Sequence, residues 1–305
     1  MSIKLFKRFN TKDEGVEIGF KSWKFPAGEV GVKLDGITDS DFSIFDIYIE
    51  WNCESQYFHD EFVQVLQIAD VIKTNRPKSA IVLFVPYLPY SRQDRACNQG
   101  ESFALKVFVN AVKSAGVNII LTVDQHSNLS FDGFIHSFDQ SVFVSQIQDT
   151  FDWFVSPDKG AFEKTKKNAE YVCTSQIDAV RKGTRSILHI PSPFAMHKVR
   201  TPDGISYDSD TSKEDVLYGD VLITDDICDG GATFLMCAKA IREKHPRVRS
   251  ISLYVSHGIF SKGVDSLFEV FDNIYTANLM TSDENTTKKF VKINNLYKGE
   301  KYAIR

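Results

Sequence analysis

The stretch VLITDDICDGGATF, residues 221–234, decides the fold. A hydrophobic run of strand length meets two adjacent carboxylates, Asp225 and Asp226. A small-residue loop then opens onto a segment whose Phe234, Cys237, Ala238 and Ile241 recur at helical spacing. A strand that ends in acids and turns through glycines into a helix is the repeating unit of a parallel α/β sheet, and such sheets bind ligands at the carboxyl ends of their strands. Gly230, Gly231 and Ala232 let the backbone approach a ligand closely. Thr233 and the first helical N–H groups can hold a phosphate at the positive end of the helix dipole. Acids for sugar hydroxyls beside amides for a phosphate suit a phosphorylated sugar. The plainer reading is a βα turn in which Asp226 or Asp229 caps the helix; the acid pair together with the glycines favours the sugar.

The same strand–helix alternation extends in both directions, so the predicted class is α/β with mostly parallel sheets flanked by helices. Phe62, Val65, Leu66, Ala69 and Ile72 mark a helix that should end by Arg76-Pro77. SAIVLFVP is then a strand, residues 101–115 a helix carrying Phe103, Val107, Val109 and Val112, and NIILTVD another strand. Together they make one βαβ unit over residues 79–124. Further on, DWFVSPDKG, SILHIPS, YGDVLITDD and VRSISLYVSHG read as strands, with a helix over residues 161–171. A length of 305 residues suits two domains, here divided into 1–145 and 146–305. The polar, turn-rich TPDGISYDSDTSKEDVL, residues 201–217, is a solvated connection or a mobile lid, and composition alone favours the connection.

Composition removes several function classes. With 36 Lys and Arg against 40 Asp and Glu, the formal charge of −4 provides no broad footprint for nucleic acid or an anionic membrane. No apolar stretch is long enough to span a bilayer, and MSIKLFKRFNTKDEG lacks an apolar signal core, so the expected location is the cytoplasm. Cys53, Cys97, Cys173, Cys228 and Cys237 are odd in number and scattered, which argues against a disulfide framework or a structural zinc. Cys97 and Cys228 read as small fillers beside the ligand loops, and His257 as a structural histidine.

Three more strand ends carry polar chemistry. In VPYLPYSRQDR, residues 85–95, Arg92 and Arg95 bracket Gln93 and Asp94, and two guanidinium groups so close suit a polyphosphate or carboxylate ligand. TVDQHS places Asp124 and His126 after one strand, and VSPDKG places Asp158 after another. A lone histidine after a strand is more often structural than a ligand, yet a histidine and an acid from neighbouring strand ends can hold Mg²⁺ carried in by a nucleotide.

In this order the motifs resemble those of ribose-phosphate pyrophosphokinases, and more closely the divergent branch carried by bacteriophages, over most of the chain. The resemblance implies two phosphoribosyltransferase-like domains, an N-terminal one binding ATP and a C-terminal one binding ribose phosphate. KFPAGEVGVKL, residues 24–34, matches the adenine-contacting segment, assigning Phe25 and Glu29 to the base. Arg92, Gln93 and Arg95 fall on the ATP-binding motif, and His126 on the metal- and phosphate-contacting histidine. Asp158 falls on the other metal-site acid, and Lys198 and Arg200 of HKVR on the basic pair of the catalytic flexible loop. Asp225, Asp226, Asp229, Gly230, Gly231, Ala232 and Thr233 form the ribose-phosphate loop, and VSHGIFSKG, residues 255–263, matches a further family segment. On this resemblance residues 201–218 are a lid.

The implied reaction moves pyrophosphate from MgATP to the anomeric hydroxyl of ribose 5-phosphate, with a homo-oligomer, dimer to hexamer, as the implied assembly. The match departs from the family at Gly230, where threonine is usual, at Ala232, where glycine is usual, and at Ala27, where an acid is usual. The segment from Asp158 to Lys198 is longer than usual. Loss of the threonine removes a phosphate donor and leaves space, so ADP-ribose becomes a second candidate acceptor, with a nicotinamide phosphoribosyltransferase-like enzyme as pathway partner and host cytoplasm as location. A phosphoribosyltransferase would share the VLITDD loop without needing the RQDR, DQH and KxR elements together. A non-catalytic regulatory member should have lost His126, Asp158, Lys198, Asp225 or Asp226, and all are present.

Overall fold

The computed structural model describes residues 3–8, 15–36, 46–53, 57–182, 190–201, 204–208, 217–280 and 291–292. The chain divides between Phe138 and Asp139 into two compact units. The boundary expected after residue 145 falls at the C-cap of a short helix that packs within the second unit.

The first unit contains β1 (Ile3–Arg8), β2 (Val16–Glu17), β3 (Phe20–Lys24), β4 (Val30–Leu34), β5 (Asp46–Trp51), α1 (Phe58–Asn75), β6 (Ile81–Phe84), α2 (Ala104–Ser114), β7 (Ile119–Val123) and β8 (Ile135–Phe138). Its main sheet runs β2-β1-β5-β6-β7-β8, parallel from β5 to β8, with β1 antiparallel to β5 and to β2. Strands β3 and β4 form a separate hairpin. The βαβ unit predicted from periodicity is β6-α2-β7. Its helix buries Leu105, Phe108, Val109 and Val112, spaced one and two turns apart on one face, each worth about 1.5–3 kcal/mol. Val107, expected on that face, is 62% exposed because it lies off the stripe. Trp51 is fully buried at the end of β5 and satisfies its indole by donating Nε1–H to Glu61, 2.8 Å away.

The second unit contains α3 (Gln140–Val144), β9 (Trp153–Ser156), α4 (Phe162–Arg181), β10 (Ser192–Ala195), β11 (His197–Thr201), β12 (Gly204–Asp208), β13 (Tyr218–Cys228), α5 (Ala232–Lys244), β14 (Arg247–Gly258), α6 (Asp265–Phe268), β15 (Asn273–Leu279) and β16 (Val291–Lys292). Its sheet runs β10-β9-β13-β14-β15-β16, every pair parallel. The helix expected over 161–171 continues to Arg181. SILHIPS lies largely outside the described residues, and the strand at that place is β10, whose first residue is Ser192.

Alternation along β13 sorts its side chains to two faces. Val221 and Ile223 join the core formed with Phe234, Cys237, Ala238 and Ile241 of α5. Thr224 faces the other way, where its hydroxyl lies 2.9 Å from that of Thr165 on α4. The polar stretch after Arg200 builds β12, the second strand of a hairpin with β11, in which Lys198 is opposite Tyr207. Residues 209–216, the rest of the expected lid, lie outside the described residues. Among the described residues no helix is long and apolar enough to cross a membrane, and all five cysteines are free thiols.

Candidate functional site

In the first unit the polar motifs follow the carboxyl ends of β6 and β7. Beyond β6 the Pro86 carbonyl accepts from both Val123 N–H and the Thr122 hydroxyl, each at 3.0 Å, which ties the start of the arginine loop to β7. The loop then turns through Tyr90, at φ +61°, with Gln93 N–H donating to Tyr90 O at 2.8 Å. Arg92, Gln93 and Arg95 are exposed on it. Its far end is closed by Glu101, whose carboxylate accepts from the N–H groups of Cys97 and Asn98 at 2.9 and 3.0 Å. Those bonds, with the Asn98 side-chain amide foremost, hold the Glu101 carboxyl below its ordinary pKa. Cys97, expected as a packed filler, is exposed.

At the end of β7 Asp124 is buried and takes φ +39°, a left-handed conformation that costs an L-residue energy and marks functional strand ends. Gln125 anchors the chain on either side of the next turn: its N–H donates to Ser137 Oγ at 2.9 Å and its side-chain amide to Leu129 O at 2.7 Å. His126 is thereby presented at the surface on a fixed backbone. Phe25 is 48% exposed at the tip of the β3–β4 hairpin, edge-on to the equally exposed Trp23 with ring centroids 5.9 Å apart. The turn is closed by Phe25 N–H to Glu29 O at 2.7 Å, and Glu29 is exposed beside it.

In the second unit the acids of the TDD sequence occupy opposite faces of β13. Asp226 is buried on the α4 side, with Lys164 Nζ 3.7 Å from its Oδ2. Asp225 accepts the Asp226 N–H at 2.9 Å. Burial first, then the Asp226 and Asp158 carboxylates, push the Asp225 carboxyl well above the usual carboxylate range. Asp158 follows β9, where its Oδ1 accepts from Gly160 N–H at 2.9 Å and Ala161 N–H at 3.2 Å, aligning the start of α4. Asp158, Asp225 and Asp226 thus form one anionic cluster. Among the described residues no group of three or more His, Cys, Asp or Glu side chains converges as a metal site by itself.

The loop after β13 has the backbone that its glycines imply. Gly231 sits at φ +78° as the N-cap of α5, and a β-carbon there would stand 3.0 Å from Leu267 Cδ2. Asp229, expected at the acceptor, has its Oδ1 bonded to Ser261 Oγ at 2.6 Å. The space expected at Gly230 is filled: Cδ and Cε of Lys262 lie 3.3 Å from where a β-carbon would be. Cys228 is buried, which pushes its thiol up to about 12 and leaves it protonated. His257 is buried with Nδ1 3.3 Å from Asn278 Nδ2, in line with its structural reading.

Two side chains were missed by the sequence reading. Lys164 stands in the first turn of α4, where the helix dipole disfavours a cation unless an anion faces it; Asp226 is that anion. Tyr207 is the one aromatic residue in the polar stretch after Arg200. It is buried, donates its hydroxyl to Thr233 O at 3.2 Å, and accepts Lys244 Nζ at its own carbonyl at 2.8 Å. Burial foremost, and the Asp158 and Asp225 charges with it, raise its phenol pKa, so Tyr207 lies beside the acid cluster. The hairpin that carries Lys198 and Arg200 is therefore pinned to the start of α5.

Residues 17–116 match the model of the N-terminal domain of ribose phosphate pyrophosphokinase. A ribose-phosphate pyrophosphokinase of Hyphomonas neptunium is 25% identical over 241 residues, covering 75% of this chain and 70% of that protein. One from Mycoplasmopsis pulmonis is 28% identical over 252 residues, covering 77% and 70%. The crystal structure of phosphoribosylpyrophosphate synthetase from Mycobacterium smegmatis superposes with a TM-score of 0.66 at 19% identity, over 90% of this chain and 84% of that one, so the two share a mixed α/β fold with mostly parallel sheets flanked by helices. In sequence the chain is similar to ribose-phosphate pyrophosphokinases, and in fold to a phosphoribosylpyrophosphate synthetase.

Proposed function

We propose that the chain transfers the β,γ-pyrophosphate of ATP to the anomeric hydroxyl of ribose 5-phosphate. The anomeric oxygen forms a bond to the β-phosphorus, the bond from that phosphorus to the α,β-bridging oxygen breaks, AMP leaves with that oxygen, and the hydroxyl proton is released. The observation that carries this reading is the β13–α5 junction: an acid pair at a strand end, one acid held above its ordinary pKa, followed by a left-handed glycine that opens a helix. Acids there bind ribose hydroxyls, and the helix N-terminus binds the 5-phosphate.

On this reading the N-terminal unit, which ends at Phe138, binds ATP through Phe25, Glu29, Arg92, Gln93, Arg95 and His126. The C-terminal unit, which begins at Asp139, holds the acceptor with Asp225, Asp226, Asp229 and the backbone of residues 230–233. Lys198 and Arg200 neutralise the charge that builds on the transferred group. Little covalent work falls to the protein, since such transfers depend on alignment and charge balance. Mg²⁺ brought with the nucleotide would offset charge on the phosphates. His126 in the first unit and Asp158 in the second are proposed metal contacts, each in its own unit, and a cation beside the acids would offset the burial and the neighbouring carboxylates that raise the Asp225 pKa.

ADP-ribose is the second acceptor reading. It offers the same anomeric hydroxyl, and it is favoured by Gly230, which places no rigid side chain over the outer edge of the loop. Incubation with MgATP and each acceptor, following AMP release and product mass, tests both. AMP with pyrophosphorylated ribose 5-phosphate is expected; transfer to ADP-ribose alone would favour the second reading, and transfer to neither would refute both.

A further inference from the structure

Gly230 and Lys262 act as a pair. The segment before Lys262 is stitched to the loop after β13: Ile259 and Phe260 N–H donate to Cys228 O at 2.9 and 3.1 Å, and Ser261 N–H to Asp229 O at 3.2 Å. Ser261 Oγ adds its bond to Asp229, and Gly263 N–H closes the turn onto Phe260 O at 2.8 Å. The Lys262 backbone is therefore fixed relative to the loop. Its stem lies over Gly230, with Cγ at 3.6 Å and Cδ and Cε at 3.3 Å from the position of a β-carbon. The ammonium is one bond beyond Cε, so it too lies close to the loop that opens α5.

That position is unfavourable for an unpaired cation. The first amides of α5 and the helix dipole make this end positive. Asp229 of the same loop is bonded to Ser261, and Lys262 has no ion pair or hydrogen bond among the described residues. A cation held at a positive helix end is stabilised when an anion arrives between the two.

We infer that Lys262 binds the 5-phosphate of the acceptor, in the place left by a side-chain hydroxyl at position 230. This deepens the proposed function and rests on it. An ammonium on a flexible stem is a movable point charge with three donors, whereas a hydroxyl at residue 230 would be fixed by the backbone. The loop thus takes its phosphate between backbone amides and one adaptable cation.

Lys262 is exposed, so Lys262→Met should leave the melting temperature unchanged. Loss of a charge-assisted bond at an exposed site predicts a rise of about tenfold in KM for ribose 5-phosphate. KM for ATP and kcat should stay within about twofold, and Lys262→Arg should restore most of the loss. Calorimetric titration with inorganic phosphate gives a readout apart from turnover: the wild type should bind more tightly than Lys262→Met. An unchanged acceptor KM, or an ATP KM that rises equally, would overturn the inference. Absence of transfer by the wild type would instead refute the proposed function, and phosphate binding equal in wild type and Lys262→Met would then overturn this inference too.

Discussion

The two adjacent glycines of the loop after β13 should differ sharply in what they tolerate. Gly231 has φ +78°, and an alanine β-carbon there meets Leu267 Cδ2 at 3.0 Å. Leu267 is 1% exposed within the α5 core, so it cannot swing into solvent. A left-handed alanine costs about 1–2 kcal/mol, and forcing a packed leucine aside costs about 1–3 kcal/mol. Gly231→Ala should therefore lose about 2–5 kcal/mol, or roughly 4–20 °C in melting temperature for a unit of this size. Gly230 has no positive φ, and the nearest atoms to its β-carbon are those of the stem of exposed Lys262, at 3.3 Å. Gly230→Ala should stay within about 0.5 kcal/mol of the wild type. Urea and thermal unfolding of the two single variants, monitored by near-UV dichroism, measure the difference. If Gly231→Ala melts with the wild type, or Gly230→Ala falls as far, then the loop conformation does not rest on a left-handed glycine backed by Leu267.

Asp225 and Tyr207 each give a further prediction. The folded pKa of Asp225 is raised above its unfolded value, so its ionisation costs stability, and the cost grows as pH rises past about 4. With chelator present, Asp225→Asn should melt higher than the wild type at pH 7, lose that gain towards pH 4, and fail in pyrophosphate transfer; a melting difference that does not grow with pH would contradict the charge crowding. Tyr207→Phe keeps the buried ring and loses the bond to Thr233 O. It should cost about 0.5–1.5 kcal/mol, speed tryptic cleavage after Lys198 or Arg200, and lower kcat more than it raises KM for ATP; unchanged cleavage would show that the hydroxyl does not pin the hairpin.

Much of the fold was legible because its strands are buried on both faces. Runs such as SAIVLFVP and VLITDD are short, continuous and rich in β-branched residues, which favours buried strands over helices, and the structure returns β6 and β13. Helix faces were legible wherever the stripe was clean, as in α5. Val107 was misplaced because β-branched apolar residues also occur on exposed helix faces, and spacing outweighs residue type. The motif positions at strand ends were visible since ligand chemistry there needs acids, arginines and glycines in short order. Their partners were not: Thr165 to Thr224 and Lys164 to Asp226 join residues 59 and 62 apart in sequence, and no local pattern announces a cross-element pair.

The same limit explains the reading at Gly230. A missing β-carbon looks like empty space when the loop is read alone, yet in the structure a lysine from a segment 32 residues later fills it. Charge along the β13–α5 junction is then graded. Asp225 and Asp226 stand at the strand end, and the loop amides, the helix end and Lys262 lie beyond them. A ligand with hydroxyls at one end and a phosphate at the other fits that gradient in one direction only. Reversed, it would put phosphate against Asp225, which burial and then the Asp226 and Asp158 carboxylates already keep from ionising at its ordinary pKa. On the proposed function, the repulsion that makes the cluster costly in the free protein therefore orients the acceptor, with its anomeric end at the acids and its 5-phosphate under Lys262.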